Sequence, residues 1–214
     1  QKAASAGFSV TDDDREDLRL KDTMEMIVQS LEDVGAKTQL LMFVTGPAGA
    51  GKSTAIIVAQ RFCYEFCRCL GVTWKDNTFL FTATTGCAAA LFGGTTIHSS
   101  AYLCKNKESI TDSMKREWKD VKVLIVDEVS MATENMMHKL NDSLNDYRRC
   151  SDPHSYLISD QMIFGGFSII FAGDFRQIPP VGAKDDQLLY KSHGLWENSI
   201  NVAIVLENSH RFAD

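Results

Sequence analysis

The sequence predicts an α/β fold, a mostly parallel sheet with helices on both faces. Three observations carry that prediction. The segment Gly46-Pro47-Ala48-Gly49-Ala50-Gly51-Lys52-Ser53-Thr54 follows the apolar run at 40–44 and opens a helix-forming stretch. This is the strand, glycine loop and helix order that a phosphate cradle requires. Strand and helix patterns then alternate down the chain, and the strand segments are apolar at nearly every position. Strands of that kind are buried on both faces, which demands a parallel sheet with right-handed crossovers.

The elements run in order. Residues 40–45 form the first strand and 52–70 its helix. A second strand at 78–83, built on Phe79, Leu80 and Phe81, leads into a short helix at 87–92 that is rich in alanine. Val123, Leu124, Ile125 and Val126 mark a third strand at 121–126, followed by a helix at 134–147. Ile169, Ile170, Phe171 and Ala172 close a fourth strand at 167–172, and 202–206 is the fifth. Residues 1–17, small, polar and acidic, read as a mobile tail, so the domain proper is 18–214. The connection 148–166 is longer than the sheet needs and reads as an exposed excursion.

Composition narrows the class. A chain of 214 residues with 44% hydrophobic content can bury one sizeable core. The net charge of −6 is local: residues 12–33 carry nine acidic and three basic side chains, which leaves the remainder neutral with room for a modest basic groove. Six cysteines, without paired metal spacing, fit reduced intracellular thiols, and Cys63, Cys67 and Cys69 fall in a helical stretch as small hydrophobes. Residues 77–104 lack Asp, Glu, Lys and Arg, yet glycine, threonine and serine interrupt them, so no membrane span is expected. A start at Gln1 is expected of a fragment of something longer.

Ligands of an open parallel sheet bind at the carboxyl ends of its strands, where every motif falls. In the glycine loop, backbone N–H groups can turn inward around phosphates, Lys52 brings positive charge to the β and γ groups, and the Ser53 hydroxyl can ligate Mg²⁺. The third strand runs into Asp127 and Glu128. Asp127 can hold the water shell of Mg²⁺, and Glu128 can orient or deprotonate an attacking water. The fourth strand exits into Gly173-Asp174-Phe175-Arg176-Gln177-Ile178-Pro179-Pro180-Val181. Gln177 suits a sensor of the γ-phosphate, and the proline pair, with fixed φ, a rigid segment that passes the signal on.

These pieces resemble the ATP-dependent DNA helicases of superfamily 1 that move 5′ to 3′, of the Pif and RecD type, including Helitron helicases. Over residues 40–211 they occur in family order: GPAGAGKST, TATTGCAAALFGGTTIHS, VDEVSM, FGG before GDFRQIPPV, and LENSHR. The resemblance implies a RecA-like P-loop NTPase fold, with ATP and Mg²⁺ as cofactors. It assigns Lys52 and the loop Gly46–Thr54 to phosphate binding, Ser53 and Asp127 to metal, Glu128 to catalysis, Gln177 to sensing and Arg211 to an arginine finger. It also implies single-stranded DNA as partner, with Thr85, Gly86, Thr96, His98 and Ser99 nearest the sugar-phosphate backbone. Hydroxyls and open N–H groups suit a phosphate chain without a positive surface, whereas Thr95, Thr96 and His98 read alone would cap a helix or close a turn.

The family's adenine-reading glutamine falls on Gln29 by counting back from Gly46, or on Lys21 or Leu20 by helix phase. A helicase motor closes two RecA-like domains around one nucleotide, so a second is expected beyond Asp214, with the protein monomeric and nuclear or mitochondrial. The rival classes are a nucleotide-dependent binding module without turnover and a small-molecule P-loop kinase.

Overall fold

The computed structural model of the chain describes residues 39–103, 111–151, 162–177, 179–180, 182–191 and 194–207. The tail at 1–17, the alternative adenine readers Leu20, Lys21 and Gln29, and Arg211 lie outside the described residues. Strand β1 (Leu41–Thr45) leads through the glycine loop into helix α1 (Lys52–Cys69), and β2 (Phe79–Ala83) into α2 (Gly86–Leu91). A two-residue strand β3 (Thr95–Thr96) runs into α3 (Ile97–Ser100), followed by α4 (Asp112–Trp118) and β4 (Val123–Asp127). Next come α5 (Glu134–Ser151), β5 (Ser168–Gly173), α6 (Leu195–Ser199) and β6 (Val202–Val205).

The six strands form one sheet in the order β3-β2-β4-β5-β1-β6, and every neighbouring pair is parallel. Period-2 alternation sorts the strand residues into two cores. Leu41, Leu124, Val126, Ile169 and Phe171 point to one face and pack with Met137, Leu140 and Leu144 of α5 and with Trp118 of α4. Met42, Val44, Val123, Ile125, Ile170 and Ala172 point to the other and pack with Ile56, Ala59 and Cys63 of α1. Helices therefore cover both faces, and a polar group within a central strand needs a hydrogen-bond partner there, as buried Thr82 finds in the Ile125 carbonyl. Burial pushes the Cys63 thiol up to about 12, with Cys67 adding to the shift, so this cysteine acts as an inert apolar side chain.

The expected elements are present within two or three residues of their predicted bounds, except that the helix at 134–147 runs on to Ser151. Four were not foreseen: β3, the four-residue α3, α4 and α6. Strand β3 is too short to show a period, while α4 and α6, at seven and five residues, are held by packing of Trp118 and Trp196 instead of by a long apolar stripe. The reading of 148–166 as an exposed excursion is corrected at both ends. Arg148 donates through Nε to the Gly165 carbonyl at 2.9 Å, and its guanidinium lies 4.9 Å from the Phe167 ring centroid. Phe164 is fully buried against Phe171, with its N–H donated to Asn141 Oδ1 at 2.8 Å. Residues 152–161 lie outside the described residues.

Candidate active site

The glycine loop leaves β1 against the end of β6. A Cβ on Gly46 would lie 2.5 Å from the Leu206 carbonyl oxygen, so no other residue fits there without moving the backbone. At the other end of the loop Gly51, in the left-handed region at φ 83°, serves as the N-cap of α1. No side chain caps this helix and no acid occupies its first turn. The N–H groups and positive dipole end of an 18-residue helix thus face the loop, which is the arrangement that accepts an anion. Lys52 folds back over the loop, donating through Nζ to the carbonyls of Gly46 at 2.7 Å and Pro47 at 3.1 Å. The ammonium is thereby stationed at the mouth of the cradle.

Two strands away, β4 delivers its acids to the same end of the sheet. Asp127 is the last residue of β4 and is 6% exposed. Burial raises its carboxyl above the ordinary range, opposed by the Glu128 N–H, the charge of Lys52 and a hydrogen bond from the Ser53 hydroxyl. Ser53 and Asp127 therefore present their oxygens side by side, a hard-oxygen pair that fits Mg²⁺. Glu128 is raised as well, first by burial and then by Asp127, with Lys52 opposing and Asp174 adding to the rise. Its backbone sits in the left-handed region, φ 55° and ψ 39°, a conformation that costs a non-glycine residue about 1–3 kcal/mol and gathers at functional sites.

The loop after β5 completes the group. Gly173 lies against the backbone N–H groups of Val129 and Ser130, where a Cβ would stand 3.1 Å from each nitrogen, so the two loops touch. Asp174 is 5% exposed. Burial pushes its carboxyl up, but the Arg176 N–H, the Arg176 guanidinium and the Gln177 side chain together hold it below the usual range. Its Oδ1 accepts from Arg176 N at 3.0 Å and from Arg176 Nε at 3.3 Å, while its carbonyl accepts from Gln177 N at 2.9 Å. Phe175 is wedged among Phe43, Tyr190 and Trp196, with ring centroids 5.3, 5.5 and 5.7 Å away. Asp174 and Phe175, to which the sequence reading gave no role, are thus what hold the exposed Gln177 in place. The signal was legible in one respect: an Asp whose carboxylate accepts from the N–H two residues on is a common turn former.

The third cluster emerges from β2 and β3. These strands are parallel with Thr82 opposite Thr95 and Ala83 opposite Thr96, so Thr85 and Gly86 leave the sheet beside Thr96, His98 and Ser99. Thr85 accepts the Ala88 N–H and Thr96 the Ser99 N–H, each at 3.3 Å, as helix caps. Thr95 is hydrogen-bonded to Ser100. The capping roles are therefore present, and Gly86, His98 and Ser99 are left exposed beside them. Between this cluster and the acids stands Thr84, which sequence reasoning passed over. Its N–H donates to the Asp127 carbonyl at 3.0 Å and its Oγ1 to the Glu128 carbonyl at 2.8 Å.

The arrangement can hold a phosphate chain over Lys52, place a divalent cation beside Ser53 and Asp127, and accept a proton at Glu128. The profile of the PIF1-like helicase family matches residues 19–214. The chain is 30% identical to the ATP-dependent DNA helicase RRM3 of Saccharomyces cerevisiae over 190 residues, which are 83% of this chain and 24% of that protein. Its fold is similar to the crystal structure of Pif1 helicase from Candida albicans (TM-score 0.62, 25% identity, 94% of this chain and 40% of the other). It is also similar to Pif1 helicase from Bacteroides in complex with ADP-AlF3 and ssDNA (TM-score 0.63, 21% identity, 89% and 43%). The chain thus spans about a quarter of that curated relative and under half of those structures.

Proposed function

This chain belongs to the PIF1-like helicases, and from that premise we propose that residues 18–214 are the first RecA-like motor domain of a 5′ to 3′ DNA helicase. The domain binds and hydrolyses ATP and passes the cycle to single-stranded DNA held beside it. One observation carries the reading: at the carboxyl ends of β1, β4 and β5, Asp127 lies within electrostatic or hydrogen-bonding reach of Lys52 and Ser53, and Glu128 within electrostatic reach of Asp127, Lys52 and Asp174. The strand cluster leaves the same edge from the neighbouring β2 and β3.

The chemistry is set by position. N–H groups of the glycine loop and the Lys52 ammonium hold the phosphates, so their charge is met by fixed donors and not by water. Mg²⁺, when bound at Ser53 and Asp127, neutralises charge developing on the phosphoryl oxygens. Glu128, raised by its surroundings, is a stronger base than an ordinary carboxylate and takes the proton of the attacking water. Gln177, fixed by Asp174, contacts the γ-phosphate. Arg211 would serve as an arginine finger when a second RecA-like domain closes over the nucleotide. A kinase has no use for the Gln177 loop, and a binding module has none for a base at Glu128. Its DNA would be nuclear or mitochondrial.

Strand placement is tested at Cys87. This exposed thiol comes directly after Gly86 and falls under a strand lying on Thr85 and Gly86, whereas exposed Cys69 sits at the far end of α1. Peptide-resolved maleimide labelling, with and without saturating oligothymidine, should show several-fold protection of Cys87 and none of Cys69. Equal labelling of Cys87 with the oligonucleotide bound would overturn the placement.

A further inference from the structure

We propose that Thr84 is the positioning residue through which a bound DNA strand and a bound nucleotide sense each other, by holding the peptide units on either side of Glu128. The inference rests on the motor reading and adds a route of coupling to it. Three observations lead to it.

First, Thr84 makes two hydrogen bonds to one short stretch of a different strand. Its N–H is donated to the carbonyl of Asp127 and its hydroxyl to the carbonyl of Glu128. Those carbonyls belong to the two peptide units that flank the Glu128 Cα, so together they limit how Glu128 can rotate. Second, Glu128 has a backbone that needs holding: its φ of 55° is uncommon for a side chain of this kind, and such conformations persist only where the surroundings over-determine them. The neighbouring bonds, Glu128 N–H to Asp127 Oδ1 at 2.8 Å and Met131 N–H to the Glu128 carbonyl at 3.0 Å, are both local to the same turn. Thr84 alone among these donors reaches in from the strand cluster. Third, Thr84 is joined directly to Thr85, which caps α2, and to Gly86 beyond it. A strand that shifts Thr85 or Gly86 by even a fraction of an ångström moves the donor on which Glu128 hangs. β2 itself is pinned behind this point, since Thr82 Oγ1 donates to the Ile125 carbonyl at 2.5 Å, so the displacement is confined to Thr84 and the residues after it.

Coupling of this kind is reciprocal. If the strand changes nucleotide affinity by some factor, the nucleotide changes strand affinity by the same factor. The test is therefore an equilibrium one. Fluorescence anisotropy of a labelled oligothymidine is measured on the full chain with and without a non-hydrolysable ATP analogue and Mg²⁺, for wild type, Thr84→Val, Thr84→Ala and Thr84→Ser. Valine keeps the shape and the backbone N–H and loses only the hydroxyl; serine restores it. Wild type and Thr84→Ser should show a change in strand affinity of at least about fivefold on adding the analogue, the low end of typical coupling. In Thr84→Val and Thr84→Ala the change should shrink toward none, while each ligand alone binds as in wild type and the melting temperature holds. A residue with a merely structural role would lower both single affinities and the melting temperature together.

The inference is overturned if the valine and alanine variants keep the wild-type coupling, or if wild type binds both ligands with no coupling between them. A chain that binds neither ligand would instead overturn the motor reading itself. Should valine misfold, the alanine and serine variants decide the same question.

Discussion

Glu128→Gln should lower ATP hydrolysis by about 10²–10⁴, the contribution of a positioned general base, with nucleotide affinity within a few-fold of wild type. The amide keeps the size of the side chain, and the hydrogen bonds from Thr84 and Met131 to its carbonyl do not depend on the side chain. The proton acceptor alone is lost. The same substitution should raise thermal stability at neutral pH. Burial, then Asp127, holds the Glu128 carboxyl above its ordinary value, so the folded state prefers the neutral form. A group raised in this way stabilises the fold below its unfolded pKa, about 4.3 for glutamate, and that benefit is lost as pH rises through the folded value. At pH 7 the ionised Glu128 is therefore a cost that glutamine removes. Melting curves at pH 7 and pH 4 should show a gain for the variant at pH 7 that narrows at pH 4. A variant that still hydrolyses within tenfold of wild type would remove Glu128 from the chemistry.

Lys52→Ala should fail at an earlier step. The ammonium held by the carbonyls of Gly46 and Pro47 can meet phosphate oxygens with charge-assisted bonds worth about 1.5–3 kcal/mol. Its loss should weaken nucleotide binding by about 10- to 100-fold, at 1.4 kcal/mol per tenfold. Titration with a fluorescent nucleotide separates the two variants: glutamine at 128 changes turnover, alanine at 52 changes affinity first and turnover with it. Arginine at 52 should not rescue, because a planar fork does not replace a compact point charge inside a glycine loop. Unchanged nucleotide affinity in Lys52→Ala would mean that the loop is not a phosphate cradle.

How much of this could be read from the sequence depended on whether the cause was local. The glycine loop, the acids after the third strand and the polar loop after the fourth are each set by a run of adjacent residues, and the structure brings Lys52 and Ser53, at the start of α1, together with Asp127 and Glu128 at the end of β4. The parallel sheet was implied by strands apolar on both faces, as Leu124 and Ile125 show on opposite cores. Thr84 was not legible, because its partners lie more than forty residues away on a neighbouring strand. The packed end of the 148–166 connection was hidden for the same reason: Phe164 is buried by α5 and Phe171, not by its own neighbours in sequence. Thr85 and Thr96 cap helices and stand beside exposed Gly86, His98 and Ser99, so the capping and strand-binding readings are compatible.

The most direct test of the motor reading is steady-state phosphate release with and without single-stranded DNA. It should be run on the 214-residue chain, on its Lys52→Ala variant, and on the chain continued through a second RecA-like domain. Fast, DNA-stimulated turnover is expected only in the two-domain form, abolished by Lys52→Ala there, with the chain alone slower by on the order of 10³–10⁵, the worth of an arginine finger, because Arg211 is set against the nucleotide only when the second domain closes. Fast turnover by the chain alone, or turnover in the two-domain form that DNA leaves unchanged, would contradict the motor reading.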